Sequence, residues 1–316
     1  MKQLGFLVLF FAMFACQNKV DSDQKMDMIK YIDRKSGEIH TENVPNQGML
    51  NWLYGAGSGK LALHLLFKRK LVSSMGGWYM NTQQSAKRIP GFIAEHNIDI
   101  TEFQDADTFK TFNQFFYRKL KANVRPIGEH LVSPADGKIL VFPTLNDVQT
   151  FFIKGSEFTL ERFLQNPELT KKYSDGSMAI VRLAPPDYHR YHFPASGIAS
   201  ESTKINGYYY SVSPLALRGS LEIFCENKRE YSTLATKEYG DILIMDVGAT
   251  MVGSIFQTYS PGLVKKGDEK GYFAFGGSTL VLLFEKGKIR FDKDLLTNTQ
   301  KGMETTIHMG EDIGLN

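Results

Sequence analysis

Cysteine is almost absent from this chain of 316 residues: only Cys16 and Cys225 occur. That excludes a disulfide framework and a thiolate metal cluster. Charge of one sign is lacking too, because 37 basic and 34 acidic residues leave a formal charge of +3. So small an excess gives no ground for a nucleic-acid partner. No apolar run reaches the roughly 18 residues of a comfortable membrane span. Internal repeats, low-complexity tracts and the regular strand-helix alternation of a doubly wound fold are missing as well. A nucleotide loop is lacking despite Gly55-Ala-Gly-Ser-Gly-Lys60: Tyr54 stands where the first glycine belongs and Leu61 where a magnesium-binding hydroxyl belongs.

What is present is enough apolar residue, 42% with 12% aromatic, for an ordinary packed core. The N-terminus has a signal-like layout: Lys2, an apolar run from Leu4 to Ala15, then Cys16 and an abrupt polar stretch. Cys16 is a lipidation candidate, with an uncleaved anchor or a start at Met26 or Met28 as alternatives. Residues 1–28 are thus expected to be leader and tether, and residues 29–125 a helical, membrane-associating region. In the latter, Phe109, Phe112, Phe116 and Leu120 fall at helical spacing behind a capping Asp107. The basic cluster Lys68, Arg69 and Lys70, beside large apolar residues, suits a bilayer interface or the solvated end of a core helix.

From residue 126 to 316 the texture changes to short apolar runs between glycine and charged turns, which predicts mostly antiparallel β-structure. The fold expected is therefore α+β, with membrane-proximal helices followed by a β-rich catalytic domain. One expected hairpin turns at Lys286-Gly287 into Lys288–Phe291. Three segments in this part hold the polar residues that chemistry needs. Ser133-Pro-Ala-Asp-Gly-Lys138 places Asp136 in a turn beside a strand, Pro185-Pro-Asp-Tyr-His-Arg-Tyr-His-Phe-Pro194 holds His189 and His192, and Gly276-Gly277-Ser278 opens a continuous apolar strand. An Asp, a His and a Ser suffice for a relay in which imidazole takes the hydroxyl proton. Two histidines without a third ligand argue against zinc and leave satisfied structural histidines or acid-base work. A serine leading into a buried strand behind two glycines is placed to attack its own preceding carbonyl.

Together the three segments resemble those of the phosphatidylserine decarboxylase family, as do Phe115–Leu120 with Arg125-Pro126-Ile127, Gly207–Val212, Glu226–Glu230 and Val247–Ser254. The resemblance covers nearly everything from Ile29 to the C-terminus; the leader lies outside it. It implies self-cleavage between Gly277 and Ser278 into a β chain and a small α chain of residues 278–316, with Ser278 becoming a pyruvoyl cofactor. No metal and no pyridoxal phosphate are implied. By the same likeness Asp136 orients, His192 is the base and Ser278 the nucleophile of cleavage. His189 protonates the carbanion formed when phosphatidylserine, bound as a Schiff base, loses carbon dioxide to give phosphatidylethanolamine, and Tyr188 helps to order the loop. The α and β chains form a heterodimer, which the family suggests pairs again as a homodimer. The lipid substrate favours membrane contact by Lys68, Arg69 and Lys70 and a peripheral or lipid-anchored place at the cell membrane, on a face that the signal-like leader leaves open. Two alternatives stand beside this reading: the same machinery acting on another amine-bearing carboxylate, and a non-processing, lipid-binding envelope lipoprotein.

Overall fold

A computed structural model of the chain describes residues 30–42, 76–106, 108–151, 158–208, 210, 222–249, 255–274, 276 and 278–316. Asp107, Gly277, Cys16 and the basic cluster Lys68, Arg69 and Lys70 lie outside these residues, as does the whole of 1–28. Within them the protein is mixed α and β, built around an eleven-stranded sheet.

The four apolar runs that mark the sequence are neighbours in this sheet. Asp241–Val247, Ser278–Phe284, Ser177–Leu183 and Gly137–Phe142 lie side by side in that order, each antiparallel to the next. Every residue of Ser278–Phe284 is buried. Its unbroken apolar run follows from that position, since neither face of the strand meets water. Alternate side chains serve two cores. Val281 and Leu283 pack with Met245 and Phe224, whereas Leu280, Leu282 and Phe284 pack with Ile244, Tyr191 and Phe273. The two-residue period of a strand puts Ser278 on the second face, with Leu280. Burying such side chains stabilises the fold by roughly 1.5–3 kcal/mol each.

Two expectations are corrected. The strand Arg290–Phe291 pairs with Asp312–Leu315, not with Ser278–Phe284. A turn does form, with the Lys288 N–H donating to the Glu285 carbonyl, but both edges of Ser278–Phe284 are already occupied. The second correction concerns the N-terminal region expected to be helical. Residues 30–42 instead hold an antiparallel pair, Lys30–Ile32 and Ile39–Thr41, and the first of these joins Glu304–Ile307 in parallel. The aromatic helix is also shorter than its spacing predicts. It spans Phe112–Phe116, with the Thr111 hydroxyl accepting from the Gln114 N–H as its cap. Phe109 packs against it from outside the helix, and Leu120 bridges to Phe103 in extended backbone. Apolar spacing alone does not require one continuous helix.

Arg182 explains how the N-terminal pair is held. Its buried guanidinium reaches Glu42 and Glu304 together, at 2.5 and 2.6 Å, and both carboxylates hold its proton far more firmly than usual against the cost of burial. Arg34 similarly binds Asp292 and Asp294 at 2.8 Å. Residues on both sides of the expected cleavage point are thereby cross-linked by charge.

Candidate active site

Strand pairing gathers the three polar segments. The Ser278–Phe284 strand begins opposite Leu183. Arg190–His192 pairs with Glu269–Phe273, and the Phe273 N–H donates to the His189 carbonyl at 2.9 Å. The His192 N–H donates to the Pro134 carbonyl at 2.8 Å, two residues before Asp136.

Asp136 is buried and clamped. Arg125 donates to it through Nη2 at 2.8 Å and through Nε at 3.2 Å, while the Met309 N–H donates to Oδ1 at 2.8 Å. The other edge of Arg125 holds Glu102 at 2.9–3.0 Å. Such forked contacts fix the carboxylate in direction as well as charge.

His192 has both ring nitrogens engaged. Nδ1 faces the Gly267 carbonyl at 2.9 Å. Because a carbonyl only accepts, Nδ1 carries the proton and Nε2 is the basic nitrogen, which receives the Tyr188 hydroxyl at 3.1 Å. Burial pulls the imidazolium form of His192 down; the Gly267 carbonyl opposes it, as do the charges of Glu269 and Asp136. Burial likewise pushes the Tyr188 hydroxyl well above its usual range.

His189 is wholly buried, its ring 3.9 Å from that of Phe116 between centroids. Nδ1 donates to the Asp187 carbonyl at 2.9 Å, so Nε2 is again the basic nitrogen. Nε2 has no hydrogen-bond partner. Burial lowers the pKa of this histidine to about 3; the Asp187 carbonyl opposes that fall, the charge of Arg118 deepens it and the Gly276 carbonyl opposes it. An unprotonated Nε2 has no hydrogen to offer the Gly276 carbonyl, whose field still favours a protonated ring.

Ser278 Oγ is buried without a hydrogen-bond partner, as is Thr279 Oγ1 beside it. Natural folds seldom leave such atoms bare except where strain or chemistry uses them. Just before it, Gly276 has φ of 135°, a backbone region that glycine alone occupies freely. The expected residues are thus gathered by adjoining strands, but no hydrogen bond joins Asp136 to His192, or either histidine to Ser278. The orienting partner of His192 is the Gly267 carbonyl. Asp136 acts on it as a charge.

Arg125 and Arg118 escaped the sequence reading as site residues, although both stand in its motifs. Their roles arise from contacts with distant segments, and only the company of Phe115–Leu120 and Arg125-Pro126 hinted at them. Among the described residues no three His, Cys, Asp or Glu side chains are arranged to hold a metal ion. The bare Ser278 Oγ and His189 Nε2 fit a group made from Ser278 itself.

Known proteins resemble this chain over most of its length. The phosphatidylserine decarboxylase family profile matches residues 112–315. A phosphatidylserine decarboxylase proenzyme of Fusobacterium nucleatum is 53% identical over 293 residues, spanning 91% of this chain and 98% of that protein. Its counterparts in Clostridium novyi and Clostridium botulinum (strain Langeland) are 47% and 44% identical over 292 residues, each spanning 91% of this chain and 99% of theirs. The chain belongs to the phosphatidylserine decarboxylase family.

Proposed function

We propose that the chain is a phosphatidylserine decarboxylase proenzyme that cleaves itself between Gly277 and Ser278 and then converts phosphatidylserine to phosphatidylethanolamine. The observation that carries this reading is the bare, buried Ser278 Oγ at the head of the central strand, behind the unusual backbone of Gly276. In cleavage, Ser278 Oγ attacks the Gly277 carbonyl carbon and His192 Nε2 takes the hydroxyl proton, once released by Tyr188. The peptide C–N bond gives way to an ester. Elimination then frees the Gly277 carboxylate, and hydrolysis leaves a pyruvoyl group and ammonia. Asp136, fixed by Arg125, stabilises the imidazolium that forms on His192.

The pyruvoyl group supplies a carbonyl that takes up the substrate amine and accepts the electron pair released as carbon dioxide departs. His189 supplies the proton traffic. Its Nε2, bare in the buried site, is placed to pass a proton to the α-carbon after decarboxylation. The low basicity of the buried ring makes its protonated form a strong acid for that delivery.

A phospholipid substrate requires contact with a bilayer. No described helix is long and apolar enough to cross one. Peripheral docking through residues about 50–80 is the form we propose, and Trp78, 72% exposed at the described edge of that region, supports it. Charge reversal of Lys68, Arg69 and Lys70 is expected to weaken sedimentation with anionic vesicles; unchanged binding removes these three from the proposal.

The decisive experiment is the intact mass of the denatured protein, with and without borohydride. Two chains split before Ser278, the smaller gaining the mass of a reduced carbonyl, are expected. A single unmodified chain from folded protein overturns the reading in favour of a lipid-binding protein. Product analysis with phosphatidylserine and with free amino acids then distinguishes the substrates.

A further inference from the structure

We propose that Arg118 is a positioning residue that fixes the imidazole of His189 with its proton on Nδ1 and its Nε2 bare, by holding the carbonyls of Pro186 and Asp187. The inference concerns the ring's state in the proenzyme and rests on the reading of His189 as proton carrier only for its consequence in catalysis.

Arg118 follows the short helix Phe112–Phe116 and is buried. Its Nη2 donates to the Pro186 carbonyl at 2.7 Å and to the Asp187 carbonyl at 3.3 Å, and its Nη1 faces the Phe115 carbonyl at 3.3 Å. The Asp187 carbonyl is the same one that accepts Nδ1–H of His189 at 2.9 Å. One oxygen therefore links guanidinium and imidazole. An acceptor held in place by a cation favours the tautomer with hydrogen on Nδ1, against the pull of the Gly276 carbonyl toward a second proton on the ring.

The neighbours of Arg118 reinforce the grip. Phe116 lies against the His189 ring, and the Tyr117 carbonyl accepts from Arg190 Nε at 2.9 Å. Residues 116, 117 and 118 thus each hold part of the segment 186–190. A flat guanidinium also suits the site in a way an ammonium does not, because it lies over two aromatic rings while donating to carbonyls. The Cζ atom lies 4.3 Å from the Phe103 centroid and 4.8 Å from that of Phe115.

The charge has a second effect. Among the described residues no carboxylate lies within ion-pair distance of Arg118, although Asp187, Asp136 and Glu102 act on it as more distant charges, and its Nε has no partner. Carbonyl dipoles and ring faces solvate the cation without cancelling it. Of the other charged groups near His189, the Asp187 carboxyl accepts from the Ala184 N–H and Arg190 is paired with Glu269. Arg118 is accordingly the charge that bears on the ring, and it disfavours a second proton there. A proton placed on Nε2 during turnover is held weakly and surrendered readily.

Imidazole NMR of the full-length Ser278→Ala proenzyme, labelled with 15N-histidine, tests this without any turnover. The His189 signals are assigned by their loss in His189→Asn. In Ser278→Ala itself, His189 is expected to be a neutral Nδ1–H ring down to about pH 4. Titration near the ordinary pH 6.5, or a proton on Nε2, overturns the proposal with no change at Arg118. Adding Arg118→Gln is expected to raise the titration midpoint by one pH unit or more and to mix the tautomers. Arg118→Lys keeps the charge and loses the fork, so the midpoint stays low while the tautomers mix. An unchanged ring in folded Arg118→Gln also overturns the proposal. Failure of decarboxylation in the wild-type chain would count against the proposed function and leave these ring measurements standing.

Discussion

The Tyr188 hydroxyl donates to His192 Nε2 across 3.1 Å, inside a buried site. The nitrogen proposed to accept the Ser278 proton is therefore already occupied. The proposed self-cleavage requires that this bond be exchanged first.

Tyr188→Phe removes the occupant. A hydrogen bond of this kind contributes about 1 kcal/mol, so folding stability of the Ser278→Ala background is expected to fall by about that amount in urea titrations. In the otherwise wild-type chain the same release speeds self-cleavage up to about fivefold. Slower cleavage by time-resolved gel analysis would mean that Tyr188 assists the base.

Gly276→Ala forces a side chain into a backbone region that L residues resist, at a cost of about 1–3 kcal/mol. Self-cleavage is expected to slow about tenfold or more, read as the time course of chain separation. Wild-type kinetics would show that the step adopts another conformation in reaction.

Arg125→Met leaves Asp136 buried without its cation. Loss of one partner of a buried pair costs about 3–5 kcal/mol, and the lower end is expected because Glu102 on the other edge is a third exposed. Adding Asp136→Asn should recover part of it. These stabilities are compared in the Ser278→Ala background, where cleavage does not intervene.

Lys270 and Asp246 form a pair at 2.6 Å with both side chains fully buried. Lys270→Met should cost about 3–5 kcal/mol, whereas the double change Lys270→Met with Asp246→Leu should cost much less, since the stranded charge is gone. Equal losses in both proteins would show that the wider network with Tyr191 and Gln257 matters more than the pair.

Acid should destabilise the proenzyme. His189 titrates near 6.5 when unfolded and is held down to about 3 when folded, so between these values the unfolded chain binds the extra proton. The stability it contributes is complete above pH 6.5 and falls as pH drops toward 3, by about 2 kcal/mol at pH 5. His192, also lowered by burial, acts in the same direction. Denaturation of Ser278→Ala at pH 7.5 and 5.0 measures the loss, and His189→Asn should reduce it.

Much of this protein was determined by the sequence read by itself. Four apolar runs marked four adjoining strands, because a strand buried on both faces has no place for polar residues. Asp136, His189, His192 and Ser278 stood out because their residue types and motifs belong to a known chemistry. The tertiary structure alone decided which atoms those residues meet. Asp136 is held by Arg125 and Met309, His192 by Gly267 and Tyr188, and His189 by the carbonyl that Arg118 grips. It also decided that Lys30–Ile32 joins a strand near the C-terminus and that Phe112–Phe116 is one short helix. Local spacing governs the period of a strand or helix, whereas hydrogen-bond partners far apart in the chain depend on how the strands pack, which no local pattern encodes.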